Sequence, residues 1–228
     1  MTLRKTSKPT AGSQKRSRGP RKPTATLLDA VTAFARLAKR RSIRWYVFGA
    51  QAVALYGVPR TTDDLDITLD LEGADFAEIA GELRRSGFSP RIANEGFASE
   101  TRVYPVIHDA SGWKIDLVLA GPGLEDVFLR EARAVPIGKL TIPVIAPEHL
   151  VALKILASRP KDLEDVRGML RITKLEHSRV ETTLATLEAL LDQSDLLPVY
   201  RRLREEVARQ SRRVKRAPKS GSPKRQPR

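Results

Sequence analysis

The chain of 228 residues contains no cysteine. That excludes disulfides, thiolate metal sites and a cysteine nucleophile. Aromatic residues make up only 5%. Trp45, Tyr46, Phe88 and Phe97 are accordingly expected in the core rather than as base-stacking platforms. Histidine occurs three times. His108, His149 and His177 lack zinc-type spacing to one another or to carboxylates, so each is expected to be structural or exposed. No apolar run approaches the roughly 20 residues of a membrane span. The first 23 residues are basic but carry no apolar segment of the signal-peptide kind. The expectation is a cytoplasmic protein without a membrane partner.

Acidic residues are absent from the N-terminal segment and nearly absent from the C-terminal one. Residues 1–23 hold eight Lys or Arg and no acid, and residues 201–228 hold twelve against Glu205 and Glu206. Between them, residues 24–200 carry 21 basic and 25 acidic residues, a net of −4 inside a chain of +14. The protein therefore reads as a mildly acidic globule with two basic arms. The arms are rich in Pro, Ser and Gly and too poor in apolar residues to offset chain entropy, so they are expected to be disordered. Basic arms attract polyanions through counterion release, which points to RNA or DNA; the plain alternative is a solubilising role.

Hydrophobic periodicity divides the remainder. Leu27, Leu28, Val31, Phe34, Leu37 and Ala38 have helical spacing, with Asp29 early and Lys39 to Arg41 late, as the helix dipole favours. Ile43–Phe48 reads as a strand ending at Gly49, and Ala50–Tyr56 as a short buried helix closed by Gly57. Asp64–Leu69 alternates polar and apolar residues as a half-buried strand does. A helix over Ala74–Ser86, a short strand at Phe88–Ile92, and strands at Arg102–His108 and Lys114–Leu119 follow. A helix from about Leu124 to Ala132 and two short β segments precede Pro147. Pro147 and Pro160 each open a helix, and two more run near Ser178–Leu191 and Ser194–Gln210. The expected division is a disordered basic arm (1–23), an α/β domain (24–145), a helical lobe (146–210) and a disordered basic tail (211–228).

The chemistry concentrates in carboxylates. Asp64 and Asp66 are two apart on a strand and project to one side, while Leu65 and Ile67 enter the core. Adjacent carboxylates repel unless a cation or proton lies between them. Oxygen-only ligands suit Mg²⁺, which binds one or two carboxylates plus substrate phosphates; the bland alternative is an acidic strand facing water. Asp116 stands in another strand, among Ile115, Leu117 and Leu119, and is a candidate third carboxylate. Upstream, Phe48-Gly49-Ala50 is a strand–glycine–helix junction, where the backbone can approach phosphate closely. Lys154 is the sole charged residue in Leu150–Ala157 and either snorkels to the surface or serves a buried anion. Asp162 and Asp165 share a helix face. Arg60 and Arg102 are candidates to meet substrate.

These residues together resemble the nucleotidyltransferase superfamily of polymerase-β-type fold. Its pattern is Gly-[Gly/Ser], a spacer, Asp-x-Asp on a strand and a later strand Asp. Here it is Gly49-Ala50, the thirteen residues 51–63, Asp64-x-Asp66, and Asp116. The stretch through Gly49, Ala52, Gly57, Arg60, Thr62, Asp64 and Asp66 is similar to the branch of AbiEii-type toxins and related nucleotidyltransferases. Ala50 departs from it and leaves only backbone donors at that position. Residues 146–170, with Lys154, Arg159, Asp162 and Asp165, resemble the branch's second signature. The resemblance covers residues 43–172 and implies an α/β nucleotidyltransferase-fold mixed sheet with flanking helices, followed by a C-terminal helical lobe. It implies an enzyme that moves NMP from NTP to an acceptor hydroxyl. Two Mg²⁺ ions would sit on Asp64, Asp66 and Asp116. Gly49, Ala50, Arg60, Thr62, Lys154 and Arg159 would surround the nucleotide, with Asp162 orienting Lys154 or Arg159. The implied acceptor is RNA, a tRNA end, in a toxin–antitoxin-like setting with an antitoxin protein as partner. A small-molecule transferase of the aminoglycoside kind, and a nucleic-acid-binding protein that retains the fold without catalysis, remain as alternatives.

Overall fold

The computed structural model describes residues 26–93 and 95–216. The expected basic arm at 1–23 and the tail beyond residue 216 lie outside the described residues. Helix α1 (Leu27–Arg40) buries Ala30, Val31, Phe34, Leu37 and Ala38, the stripe its periodicity marked. Strand β1 (Arg44–Phe48) leads directly into α2 (Gly49–Leu55), and β2 (Asp64–Asp70) follows. Helix α3 (Phe76–Arg85), β3 (Phe88–Pro90), α4 (Glu95–Thr101), β4 (Val103–His108) and β5 (Lys114–Leu119) come next, then α5 (Leu124–Glu131) and the hairpin of β6 (Arg133–Ile137) and β7 (Leu140–Val144). The helical lobe comprises α6 (Pro147–Ala157), α7 (Pro160–Ile172), α8 (His177–Leu191) and α9 (Leu196–Arg216).

The seven strands of the described residues join one sheet in the order β3-β4-β5-β2-β1-β7-β6. β2–β5 and β1–β7 are parallel and the other pairs antiparallel, so the sheet is mixed, as expected. Leu65, Ile67 and Leu69 of β2 and Ile115 and Leu117 of β5 are fully buried on one face. Phe34 meets Trp45 and Phe88 edge to face beneath that face, at 5.2 and 6.3 Å. The opposite face of β2 and β5 carries the carboxylates.

The structure differs from the sequence expectation in two elements. Helix α4 was not anticipated, because Glu95–Thr101 has no apolar period to mark it. Helix α9 continues to Arg216 rather than ending near residue 210. Leu196, Tyr200, Leu203 and Val207 anchor its first half against the lobe, and the basic residues beyond them prolong the helix.

Two contacts seat the lobe on the sheet. The hydroxyl of Thr173, at the end of α7, donates to the Tyr56 carbonyl at 3.4 Å. Gly168 of α7 packs so closely on Val58 that a Cβ there would lie 2.6 Å from Val58 Cγ1. The connector between α2 and β2 is thus clamped to α7, which places Arg60 beside the charged start of that helix. No described helix is long and apolar enough to cross a membrane.

Candidate active site

Strand register gathers the carboxylates. Asp66 lies opposite Phe48 on β1 and Asp116 on β5, and Asp64 lies opposite Lys114. Because side chains alternate, Asp64, Asp66 and Asp116 share the face away from the core. Burial pushes Asp66 up to about 6, and the neighbouring charges of Asp64 and Asp116 push in the same direction; Lys154 and Arg159 only partly offset them. Asp64 accepts a hydrogen bond from the Thr62 hydroxyl. Asp116 Oδ1 accepts from Arg91 Nη1 at 3.1 Å. With two carboxylates drawn to these partners, no group of three or more such side chains among the described residues is already spaced around one point as metal ligands. The donor set nevertheless fits a hard cation in chemistry: it offers only oxygen, and the charge of its central member is only partly compensated.

Gly49 has φ +68°, and a Cβ there would stand 1.9 Å from Asp66 Oδ2. Only glycine lets the chain turn from β1 into α2 against that carboxylate. Gly49→Ala is expected to destabilise the fold by about 1–3 kcal/mol and to cut activity at least about tenfold by displacing Asp66. Thermal melts and steady-state rates on the same preparation check this.

A cleft of about 450 Å³ runs between the carboxylates and the helical lobe. Gly49, Ala50, Arg60, Thr62, Asp64, Asp66, Asp116, Lys154, Arg159 and Asp162 all line it, so the residues implied for metal and nucleotide reach one space. Arg102 does not: its guanidinium donates to the carbonyls of Leu119 and Ala120 near the other end of the sheet. A hollow of about 570 Å³ on that side, under α3 and α4, contains none of the three carboxylates.

The cations in the cleft are mostly spoken for. Helix α6 is buried on nearly all sides, so Lys154, 8% exposed, must find partners inside the protein. The αL turn at Ser158 and the start of α7 at Pro160 deliver them. Lys154 Nζ lies 2.9 Å from both Asp162 Oδ1 and Asp165 Oδ2, carboxylates that are 0% and 5% exposed. Arg159 Nε pairs with Asp162 at 2.5 Å and Arg60 Nε with Asp165 at 3.2 Å. Burial alone would raise the Asp162 pKa, but hydrogen bonds from Arg159 and Lys154 outweigh it and hold the carboxyl below the usual range. Asp162 bonds both residues that the resemblance implied it would orient.

Lys161 also lines the cleft and, among the described residues, has no carboxylate partner. The sequence reading gave it no role. Its signal was the spacing: on α7 it falls between the helix-opening Pro160 and the inward-facing Asp162. Arg91 was missed as well, because nothing in the sequence links it to an Asp116 that lies 25 residues away.

Residues 120–205 match a family model described as "Nucleotidyl transferase of unknown function (DUF2204)". That stretch spans the β6–β7 hairpin and most of the helical lobe, and it ends short of the three carboxylates on its N-terminal side. No curated protein matches the chain in sequence. Among solved structures, the chain is similar to an antigenic nucleotidyltransferase-like protein from Paracoccidioides brasiliensis, with a TM-score of 0.49 and 18% identity over 75% of this chain and 92% of that one. It is also similar to the antibiotic-resistance factor ANT(2'')-Ia, with a TM-score of 0.49 and 16% identity over 71% and 91%. A third likeness is to a putative nucleotidyltransferase from Thermotoga maritima, with a TM-score of 0.41 and 21% identity over 64% and 95%. The family match bears out the sequence resemblance at the level of a nucleotidyltransferase, an enzyme class, and does not single out the AbiEii branch.

Proposed function

We propose that the chain transfers a nucleoside monophosphate from an NTP to a hydroxyl at the end of an RNA. The observation that carries this reading is the set of three carboxylates on adjacent strands, with Asp66 held near pKa 6, facing a cleft that also contains Gly49 and Lys161. Asp64, Asp66 and Asp116 would hold two Mg²⁺ ions, whose chemistry is to neutralise the triphosphate and the oxygens of the reacting phosphorus. The backbone at Gly49 and Ala50 gives the phosphates close approach. Lys154, already matched by Asp162 and Asp165, stiffens the wall of the cleft. Lys161 is free to pair with the triphosphate. Asp116 stands where it can take the proton of the attacking hydroxyl. A new bond forms between that oxygen and the α-phosphorus, the bond from the α-phosphorus to the bridging oxygen breaks, and pyrophosphate leaves.

The acceptor follows from charge. The N-terminal arm and the chain from 201 onward together carry +18, which a core of −4 brings to the chain's net +14, and such segments bind phosphodiesters with strong salt dependence. A toxin–antitoxin-like setting, with a protein antitoxin as partner, is the form of this reading that the AbiEii resemblance suggests.

The test is incubation with α-labelled NTPs, Mg²⁺ and either total RNA or an aminoglycoside. Label is expected in RNA, and Asp64→Asn is expected to remove it. Label transferred equally well by that variant would sink the assignment. Lys161→Ala is expected to raise the KM for NTP about tenfold, the loss of one charge-assisted phosphate contact, with an unchanged melting temperature; an unchanged KM would return the phosphate contact to another residue.

A further inference from the structure

We propose that Arg91 and Lys114 form an anion dock that receives a phosphodiester of the acceptor strand on the sheet side of the carboxylates. The inference rests on the nucleotidyl-transfer reading and deepens it by assigning the acceptor's own contacts. Register places these residues. Asp116 of β5 is opposite Pro105 of β4, and the Arg91 amide donates to the Pro105 carbonyl at 2.8 Å. Arg91 then reaches back across Pro105 to the Asp116 carboxylate. Lys114 is two residues before Asp116 on the same strand, hence on the same face, and sits opposite Asp64. Its side chain is exposed and, among the described residues, makes no ion pair.

The carboxylates therefore separate two cationic groups. On the lobe side are Lys154, Arg159 and Lys161, which border the cleft assigned to the NTP. On the sheet side are Arg91 and Lys114. An acceptor hydroxyl must reach Asp116 from a direction the triphosphate does not occupy, and the strip over β5, β4 and β3, where Lys114 is exposed, Ile107 and Ser89 are half-buried and Pro105 is buried, is that direction. The strip's other members on this face, Pro105, Ile107 and Ser89, include no carboxylate. Among the described strand residues of this face a polycationic acceptor finds no partner beyond the three carboxylates and meets two positive side chains. A phosphodiester finds two cations. The Arg91–Asp116 pair, each side chain about one-third exposed, is a weak contact in water, so exchanging it for a phosphate oxygen costs little.

The experiment uses the full chain and a 3′-single-stranded RNA. Affinity is read by anisotropy at several salt concentrations, ATP affinity by calorimetry in parallel, and folding by thermal melts. The double variant Arg91→Ala with Lys114→Ala is expected to bind the RNA about tenfold more weakly. Its log–log salt slope should be shallower by about 1.4, the share of two phosphate contacts on a single strand. Lys114→Ala alone is expected to lose about threefold in RNA affinity with its melt and ATP affinity unchanged, which keeps the idea testable should the double variant misfold. RNA affinity and salt slope that match wild type in the variants would overturn the proposal. Preferential labelling of an aminoglycoside by the wild-type protein would overturn it too. A wild type that binds RNA through these residues yet transfers no label refutes the enzymatic reading and leaves the dock standing.

Discussion

Asp66→Asn is expected to abolish nucleotidyl transfer while making the metal-free protein more stable at neutral pH. Asp66 stands between Asp64 and Asp116, opposite Phe48 and hard against Gly49, and burial with those two charges raises it from 3.8 to about 6. A carboxyl raised in the folded state carries no penalty below its unfolded value. Between about pH 4 and pH 6 the unfolded chain gives up its proton first, and folding is progressively disfavoured. Above about 6 the penalty is complete, up to about 3 kcal/mol for a shift of two units. Asn removes that penalty, so the variant's gain in denaturant midpoint should be full at pH 7 and vanish by pH 4, measured with a chelator present. Removing a central charge from the site should lower the rate at least about 10³-fold, a loss of about 4 kcal/mol of transition-state stabilisation. Equal stability of wild type and variant at pH 7 would show that the three charges do not strain the fold.

Lys154→Met is expected to produce the opposite signature: a large loss of stability with no direct contact to the chemistry. Methionine matches the lysine stem in length but leaves Asp162 and Asp165 buried without their shared cation. Removing one partner of a buried pair costs about 3–5 kcal/mol, because the remaining charge stays uncompensated. Arg159 and Arg60 still reach Asp162 and Asp165 and should keep the cost toward the lower end. The pH dependence follows from Asp162, whose carboxyl is held below its ordinary value near 3.8. The stability it contributes is present above that ordinary value and is lost as pH falls through the lowered one. The difference between wild type and variant should therefore be largest at neutral pH and shrink on acidification. Urea denaturation at pH 7 and near pH 3 measures it. A variant as stable as wild type at pH 7 would mean that Lys154 is not the cation that neutralises these carboxylates.

The local patterns in the chain carried much of the fold. Alternation in Asp64–Leu69 and Lys114–Leu119 marked two strands, and it also put all three carboxylates on the solvent side, because strand periodicity settles facing without any tertiary information. Proline at 147 and 160 and glycine at 49 marked the element boundaries they occupy. The roles of the cations were not legible in this way. Lys154 in an apolar helix was compatible with snorkelling and with a buried anion, and only the packing of α6 against the start of α7 shows that its charge is consumed by two aspartates. Lys161 drew no notice because a lone lysine at a helix start is ordinary in sequence.

By itself the sequence determined the charge division between arms and core and the facing of Asp64, Asp66 and Asp116, since each depends on composition or on neighbours along the chain. Tertiary structure alone decided that Asp66 and Asp116 are adjacent, that Arg91 crosses to Asp116, and which cations are left free in the cleft. Those outcomes depend on the parallel pairing of β2 with β5 and on the seating of the helical lobe, contacts between residues far apart in the chain that no local period encodes.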